Sequence, residues 1–268
     1  MTPQQPSNVL PALDPRPRCA LTCAYDGTDF HGWQKQNPPD GSDVRTVAGV
    51  IEQAMIKLLR QPINLVGASR TDAGVHAKGQ VAHFNADVTI ALDRLPHAVT
   101  SRLPDDAQVT AVRSVDADFD AIRSTTSKQY RYRIHSSTKR PLFDRHYVWH
   151  CHWTLDAARM ADAAARIVGE HDFGGFTAAG HGRTSTVRRV FDCNVQTYDP
   201  EVHIVISANG FLYNMVRIIV GTLVEVGRGR RDPDVIDHIF TTTDRQDAGG
   251  TVQPSGLCLE WVKYDAPE

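Results

Sequence analysis

"GASRTDAGVHAKGQVAHF" runs from Gly67 to Phe84, and its reading sets the rest of the chain in order. The apolar run Ile63-Asn64-Leu65-Val66 leads into it, and the alternating Gln80-Val81-Ala82-His83-Phe84 leads out. Both flanks read as strand, one by its short apolar length and one by its period of two. Between them an Arg-Thr-Asp-Ala-Gly corner sets Asp72 two places after Arg70 and two before Gly74. A loop built only for solubility is made more simply from Lys, Ser or Asn with Gly, so this corner carries information if the fold holds its charges in place. An opposite charge within reach favours the ionised form of a carboxylate. Such a group suits the work of a nucleophile or an anionic stabiliser better than that of an acid. Gly74 lets the backbone turn tightly or lets a substrate come close. A structural Arg-Asp pair that merely pins the turn is the alternative.

Upstream, "RCALTCAYDG" alternates Cys19, Leu21, Cys23 and Tyr25 at strand period and stops at Asp26-Gly27. From Thr46, "VAGVIEQAMIKLL" places Val47, Val50, Ile51, Ala54, Met55 and Leu58 at helical spacing. After the corner and its strand from Gly79 to Asn85 come a helix near Leu92 to Ser101 and strands near Val109 to Val115 and Lys128 to His135. A second half, 137–268, repeats the mixture: a helix over Thr154 to Gly169 with Asp156 in its first turn, strands Cys193 to Thr197 and Val202 to Ala208, then the helix "FLYNMVRIIVGTLVEV". Leu212, Met215, Val216, Ile219, Val220 and Leu223 form its apolar stripe. Asp232-Pro233 is a cap and first-position pair for a short helix to Phe240, and "GLCLEWVKY" closes the chain as a strand. Helices are interspersed without a regular βαβα beat. The expectation is an α+β fold, with a large, mostly antiparallel sheet covered on one face by helices and a cleft between two halves, 18–136 and 137–268.

Composition narrows the function. The chain has 268 residues, 41% hydrophobic and 22% charged, enough for a full core. No apolar stretch approaches the roughly 20 residues of a membrane helix. "MTPQQPSNVLPALDPRP" holds five prolines and no basic-then-apolar order, so residues 1–17 read as a disordered tail and not as a secretory signal. Cys19, Cys23, Cys151, Cys193 and Cys258 lack CxxC spacing and read as reduced thiols of a cytoplasmic protein. "HCH" at His150 to His152 has no second ligand pair of suitable spacing, so no metal is expected.

A net charge of −2 excludes a protein that coats nucleic acid by bulk positive charge. Local basic segments remain: Arg123 to Arg133, Thr138 to Arg145, Arg183 to Arg189, and Arg228 to Arg231. Each alone is an ordinary solvated face; together they suit the rim of an anionic cleft. A metal-dependent phosphotransferase would cluster carboxylates, and Asp72 has no acidic neighbour along the chain closer than Asp87. A glycosidase would need a second carboxylate, and nothing ties Glu170 or Asp172 to Asp72.

"RTDAGVHA" with "GQVAHF", and "YDGTDFHGWQKQ" upstream, resembles the TruA family of tRNA pseudouridine synthases. The likeness continues through "KQYRYRI", "RPL", "GEHDFGGF", "NGFLYNMVRIIVGTLVEVG" and "GLCLEWV", in family order and across almost everything after residue 18. The resemblance implies two ferredoxin-like (RRM-like) halves sharing one sheet, and isomerisation of uridine to pseudouridine at positions 38–40 of the tRNA anticodon arm, with neither metal nor organic cofactor. It implies Asp72 as the essential carboxylate, Tyr130 as the active-site tyrosine and Arg217 as the partner of Asp72. It also implies that Leu257 walls the uracil pocket and that Arg70 helps draw out the target nucleotide, whose flipping costs a few kcal/mol of stacking. His76 and Gln80 would support the corner. The basic segment holding Arg188 and Arg189 is expected to contact phosphates, and the family's homodimer would carry tRNA across both subunits.

Two departures stand out. Ser69 occupies the place of the glycine usual before Arg-Thr-Asp, and "FDAIR" sets Ile122 where the family's common block has arginine, with Arg123 one place later. Two rival classes are a catalytically silent RNA-binding module and a synthase acting on small nuclear or messenger RNA. The first would not need Asp72, Tyr130 and Arg217 together, and the compact length argues against the second.

Overall fold

Ten strands form one sheet in the computed structural model of the chain, which describes residues 14–36, 38–39, 44–178 and 185–265. Most of the expected tail, and Arg183 of the third basic segment, lie outside the described residues. In chain order the strands are β1 (Arg18–Tyr25), β2 (Val66–Gly67), β3 (His76–Asn85), β4 (Ala107–Ser114), β5 (Thr125–Ser136), β6 (Trp149–Cys151), β7 (Gly169–Asp172), β8 (Val187–Tyr198), β9 (Glu201–Ala208) and β10 (Leu257–Tyr264). The helices are α1 (Val47–Leu59), α2 (Leu95–Thr100), α3 (Ala157–Ala165), α4 (Met215–Gly227) and α5 (Val235–Thr242).

The sheet runs β4-β1-β3-β10-β5-β9-β8-β7, with β2 on β3 and β6 on β5. Pairing is antiparallel except where β10 lies along β3 and β6 along β5. This is the expected α+β architecture of two halves on a shared sheet. β5, from the first half of the chain, and β10, its last strand, lie side by side at the centre and join the halves.

Strand alternation decides where the core sits. Leu21, Cys23 and Tyr25 of β1, Tyr130, Tyr132 and Ile134 of β5, and Ile204 and Ile206 of β9 join residues from all five helices in one buried cluster. Among the described residues the opposite face carries a small apolar cluster, Ala20, Ala68, Val81 and Ala121. Over the centre of the sheet that face is ionic: Arg133 grips Glu201 by two nitrogens at 2.9 Å, and Arg131 meets Glu260 at 3.2 Å.

Several boundaries differ from the periodicity reading. In α3, Asp156 is the cap itself, its carboxylate accepting from Ala158 N at 3.0 Å and Arg159 N at 3.1 Å, so the helix starts three residues later than expected. Asp232-Pro233 does not cap α5; it forms a turn before Val235, and the Asp232 carboxylate takes Arg159 instead. The segment before Leu95 is turn, which leaves α2 short. β6 and β7 were not expected, because three and four residues are too few to show a period.

Candidate active site

The corner is built by its neighbours. Gly74 has φ of +78°, a conformation that favours glycine, and Val75 N donates to Asp72 O at 3.2 Å to close the turn. Thr71 is buried against Tyr25, their hydroxyls 2.8 Å apart, while its carbonyl accepts from Trp33 N at 3.0 Å. Gln80, fully buried on β3, grips Ser69 from both sides: its Nε2 donates to Ser69 O at 2.6 Å and its Oε1 accepts from Ser69 N at 3.2 Å. His76 Nδ1 accepts from Gly27 N at 3.0 Å, and Nε2 of the same ring donates to His146 O at 2.9 Å. Asp72 is thus carried on a backbone whose polar groups are tied to buried partners.

Arg217 reaches this corner from α4. The helix is apolar nearly all round and correspondingly buried, with Arg217 and Glu225 its only half-exposed residues. Asn214 precedes it at φ of +60°, one of the few side chains that accept this conformation without glycine. Three bonds hold the Arg217 guanidinium: Nη1 donates to Asp72 Oδ2 at 3.0 Å and to Asn214 Oδ1 at 2.9 Å, and Nε donates to Val252 O at 2.8 Å. Val252 can stand there because Gly221 lets the 249–252 segment lie on the helix; a Cβ at Gly221 would meet Gly250 O at 1.9 Å. Thr222 seals the contact, its Oγ1 accepting from Gly249 N at 2.9 Å while donating to Ile218 O at 3.0 Å.

Around this pair opens a cleft of about 850 Å³. Arg70, Asp72, Tyr130, Phe211, Arg217 and Leu257 line it, so all five cleft residues singled out in the sequence converge there, with Phe211 added. Tyr130 is buried, its phenol pushed up to about 12 chiefly by that burial, with the Ser69 hydrogen bond opposing the rise and the nearby Asp72 charge adding to it. At neutral pH the ring therefore carries its proton. Phe211 and Tyr130 form a T-shaped pair, centroids 5.2 Å apart and planes at 88°. Leu257 is buried on the cleft wall, and Arg70 is exposed, with no hydrogen bond or ion pair among the described residues. The carboxylate's partner is the distant arginine and not the one two places away.

Other candidates lie elsewhere. Arg188 and Arg189 are neighbours on β8, so their side chains leave opposite faces of the sheet. Arg188 lies beside Gly210, whose Cβ would stand 3.7 Å from its Nε, and the exposed Arg189 faces Phe191. Glu170 and Asp172 sit on β7 at the far edge of the sheet, away from Asp72. Ile122 lines the cleft and is 40% exposed, whereas Arg123 does not line it. Phe211 and Asn214 fall inside the "NGFLYNMVRIIVGTLVEVG" block, but nothing in the sequence gives either of them, or the Val252 carbonyl, a role. Their roles come from contacts between segments far apart in the chain.

Known proteins resemble this chain closely. The sequence profile of tRNA pseudouridine synthases matches residues 22–122 and 163–265. The tRNA pseudouridine synthase A of a Thermoanaerobacter species is 42% identical over 244 residues, covering 91% of this chain and 98% of the relative. That of Brevibacillus brevis is 43% identical over 249 residues, covering 93% and 99%. Among solved structures, the "Crystal Structure of a Cbf5-Nop10-Gar1 Complex" aligns with 12% identity and a TM-score of 0.33, covering 92% of this chain and 71% of that one. At that distance it carries no argument.

Proposed function

The chain belongs to the tRNA pseudouridine synthase family, and from that membership we propose that it isomerises uridine to pseudouridine at positions 38–40 of the tRNA anticodon arm, with Asp72 as the essential carboxylate. The observation that supports this most is the Arg217–Asp72 contact, 3.0 Å long, set in a cleft beside Tyr130 and Leu257.

The reaction breaks the bond from ribose C1′ to uracil N1 and makes one from C1′ to C5. One proton leaves C5 and one is taken up at N1, so the stoichiometry calls for no further reactant. Attack at C1′, addition at C6 and stabilisation of a glycal route all use the same negative oxygen, close to the nucleotide and partly withdrawn from water. Arg217 aims that oxygen. The Tyr130 ring stacks on the uracil, and its hydroxyl assists removal of the C5 proton. Leu257 closes the apolar wall of the base pocket.

Arg70, exposed at the cleft, is assigned to enter the stack as the nucleotide leaves it. Arg188 and Arg189 are assigned to phosphate contacts, which offset the cost of flipping. We assign a homodimer in the cytoplasm, with tRNA carried across both subunits. No helix among the described residues is long and apolar enough to cross a membrane.

Incubation of the purified protein with unmodified tRNA bearing tritium at uridine C5, with no added metal, tests the assignment. Tritium release and pseudouridine in the anticodon arm are expected. Tritium retained in the tRNA at every enzyme concentration would overturn it.

A further inference from the structure

We infer that Ser69 is a positioning residue for the isomerisation: its hydroxyl fixes the phenol oxygen of Tyr130 in the cleft beside Asp72. The inference rests on the reading that Tyr130 serves the C5 proton step.

Ser69 Oγ stands 2.9 Å from Tyr130 Oη. Neither group is local to the other. Ser69 follows β2, Tyr130 lies on β5, and in the sheet β10 runs between β5 and the strand that pairs with β2. The contact thus couples the Asp72 corner to a strand at the centre of the sheet. Gln80 fixes the Ser69 backbone through both its amide and its carbonyl, so the hydroxyl is presented from a rigid mount. The Tyr130 ring is also packed against Phe211 in a T-shaped pair.

A phenolic proton has two in-plane orientations, and a buried hydroxyl requires a partner. With the phenol donating to Ser69 Oγ, its proton takes the orientation toward Ser69 and its lone pairs are left free to accept. In the closing step the C5–H bond breaks and its electron pair restores the ring double bond; the phenol oxygen takes the C5 proton as the phenol gives its own proton to Ser69 Oγ, which passes one on to water, so neither hydroxyl is left charged. That transfer depends on the angle at Oη more than on the ring's position. A glycine at this place would have no side chain with which to supply the bond.

The test compares Ser69→Ala, Ser69→Gly and Ser69→Thr on tRNA carrying protium or deuterium at uridine C5. Loss of one oriented hydrogen bond is expected to lower kcat about tenfold in the alanine and glycine variants. KM should stay within about twofold, and the C5 isotope effect should grow because proton removal becomes more rate-limiting. The threonine variant, which keeps the hydroxyl, should restore both. A kcat within about twofold of wild type for alanine and glycine, or a fall in kcat with no change in isotope effect, would overturn the inference. Asp72→Asn run in parallel separates the two readings. If it is inactive while Ser69→Ala turns over normally, only the role of Ser69 fails; if it turns over normally, the proposed function fails.

Discussion

Arg217 Nη1 stands 3.0 Å from Asp72 Oδ2 although 145 residues separate them in the chain. The contact is held from both ends. Gln80, Thr71 and Gly74 fix the corner; Asn214 and the Val252 carbonyl fix the guanidinium. A carboxylate kept at one position by two rigid mounts is prepared for a transition state before the substrate arrives.

Replacement of Asp72 by Asn keeps the shape and removes the charge. Turnover should be lost while tRNA affinity stays within a few-fold, because one carboxylate contributes to chemistry and little to docking. Tritium release and filter binding on the same preparation check this, and activity near wild type would refute it.

Arg217→Lys keeps a charge but loses the planar fork that serves Asp72, Asn214 and Val252 together. The expected fall in kcat is on the order of 100-fold or more, comparable with loss of one oriented donor. Steady-state kinetics with tRNA decide, and a lysine variant within a few-fold of wild type would show that charge alone suffices.

Gly221→Ala would drive a methyl group into Gly250 O and push the 249–252 segment off α4. Overpacking of this kind costs about 1–3 kcal/mol. The melting temperature should fall by several degrees, roughly 2–4 °C for each kcal/mol in a domain of this size. Activity at a permissive temperature should fall as well, since the displaced segment carries the Arg217 acceptor. A stable, fully active alanine variant would contradict the packing account.

Alkaline stability follows from the buried phenols and thiols. Burial pushes Tyr130 up to about 12 from 10.0, and Cys193 and Cys258 up to about 12 from 9.0, at Cys258 against the opposing charges of Lys78 and Arg131. In the unfolded chain these groups lose protons at their ordinary values, so from about pH 9 the folded state holds more protons than the unfolded one. Stability is fully present below that range and falls as pH rises toward 12. Denaturant melts at pH 7, 9 and 10.5 should show a falling midpoint; a flat or rising one would contradict the burial of these side chains.

For the basic strand, Arg188→Ala and Arg189→Ala should each weaken tRNA binding and flatten its salt dependence by about one phosphate. Their side chains leave opposite faces of β8. A variant whose salt slope matches wild type would remove its face of the sheet from the RNA footprint.

Sequence alone determined the local elements and the chemical types. Period two marked β1 and β3, helical spacing marked α1 and α4, and the "RTDAGVHA" and "NGF" blocks marked Asp72 and Arg217, because such patterns are written in residues close together along the chain. Tertiary structure alone decided that β10 enters the centre of the sheet between β3 and β5, and that Asn214 and the Val252 carbonyl hold the Arg217 guanidinium which the family resemblance already pairs with Asp72. It also decided that Ser69 meets Tyr130, 61 residues away. Those facts depend on pairings whose partners lie tens to hundreds of residues apart. No window of sequence holds both partners, and only the close packing of helix against sheet, with every buried polar group requiring a partner, selects one pairing among many.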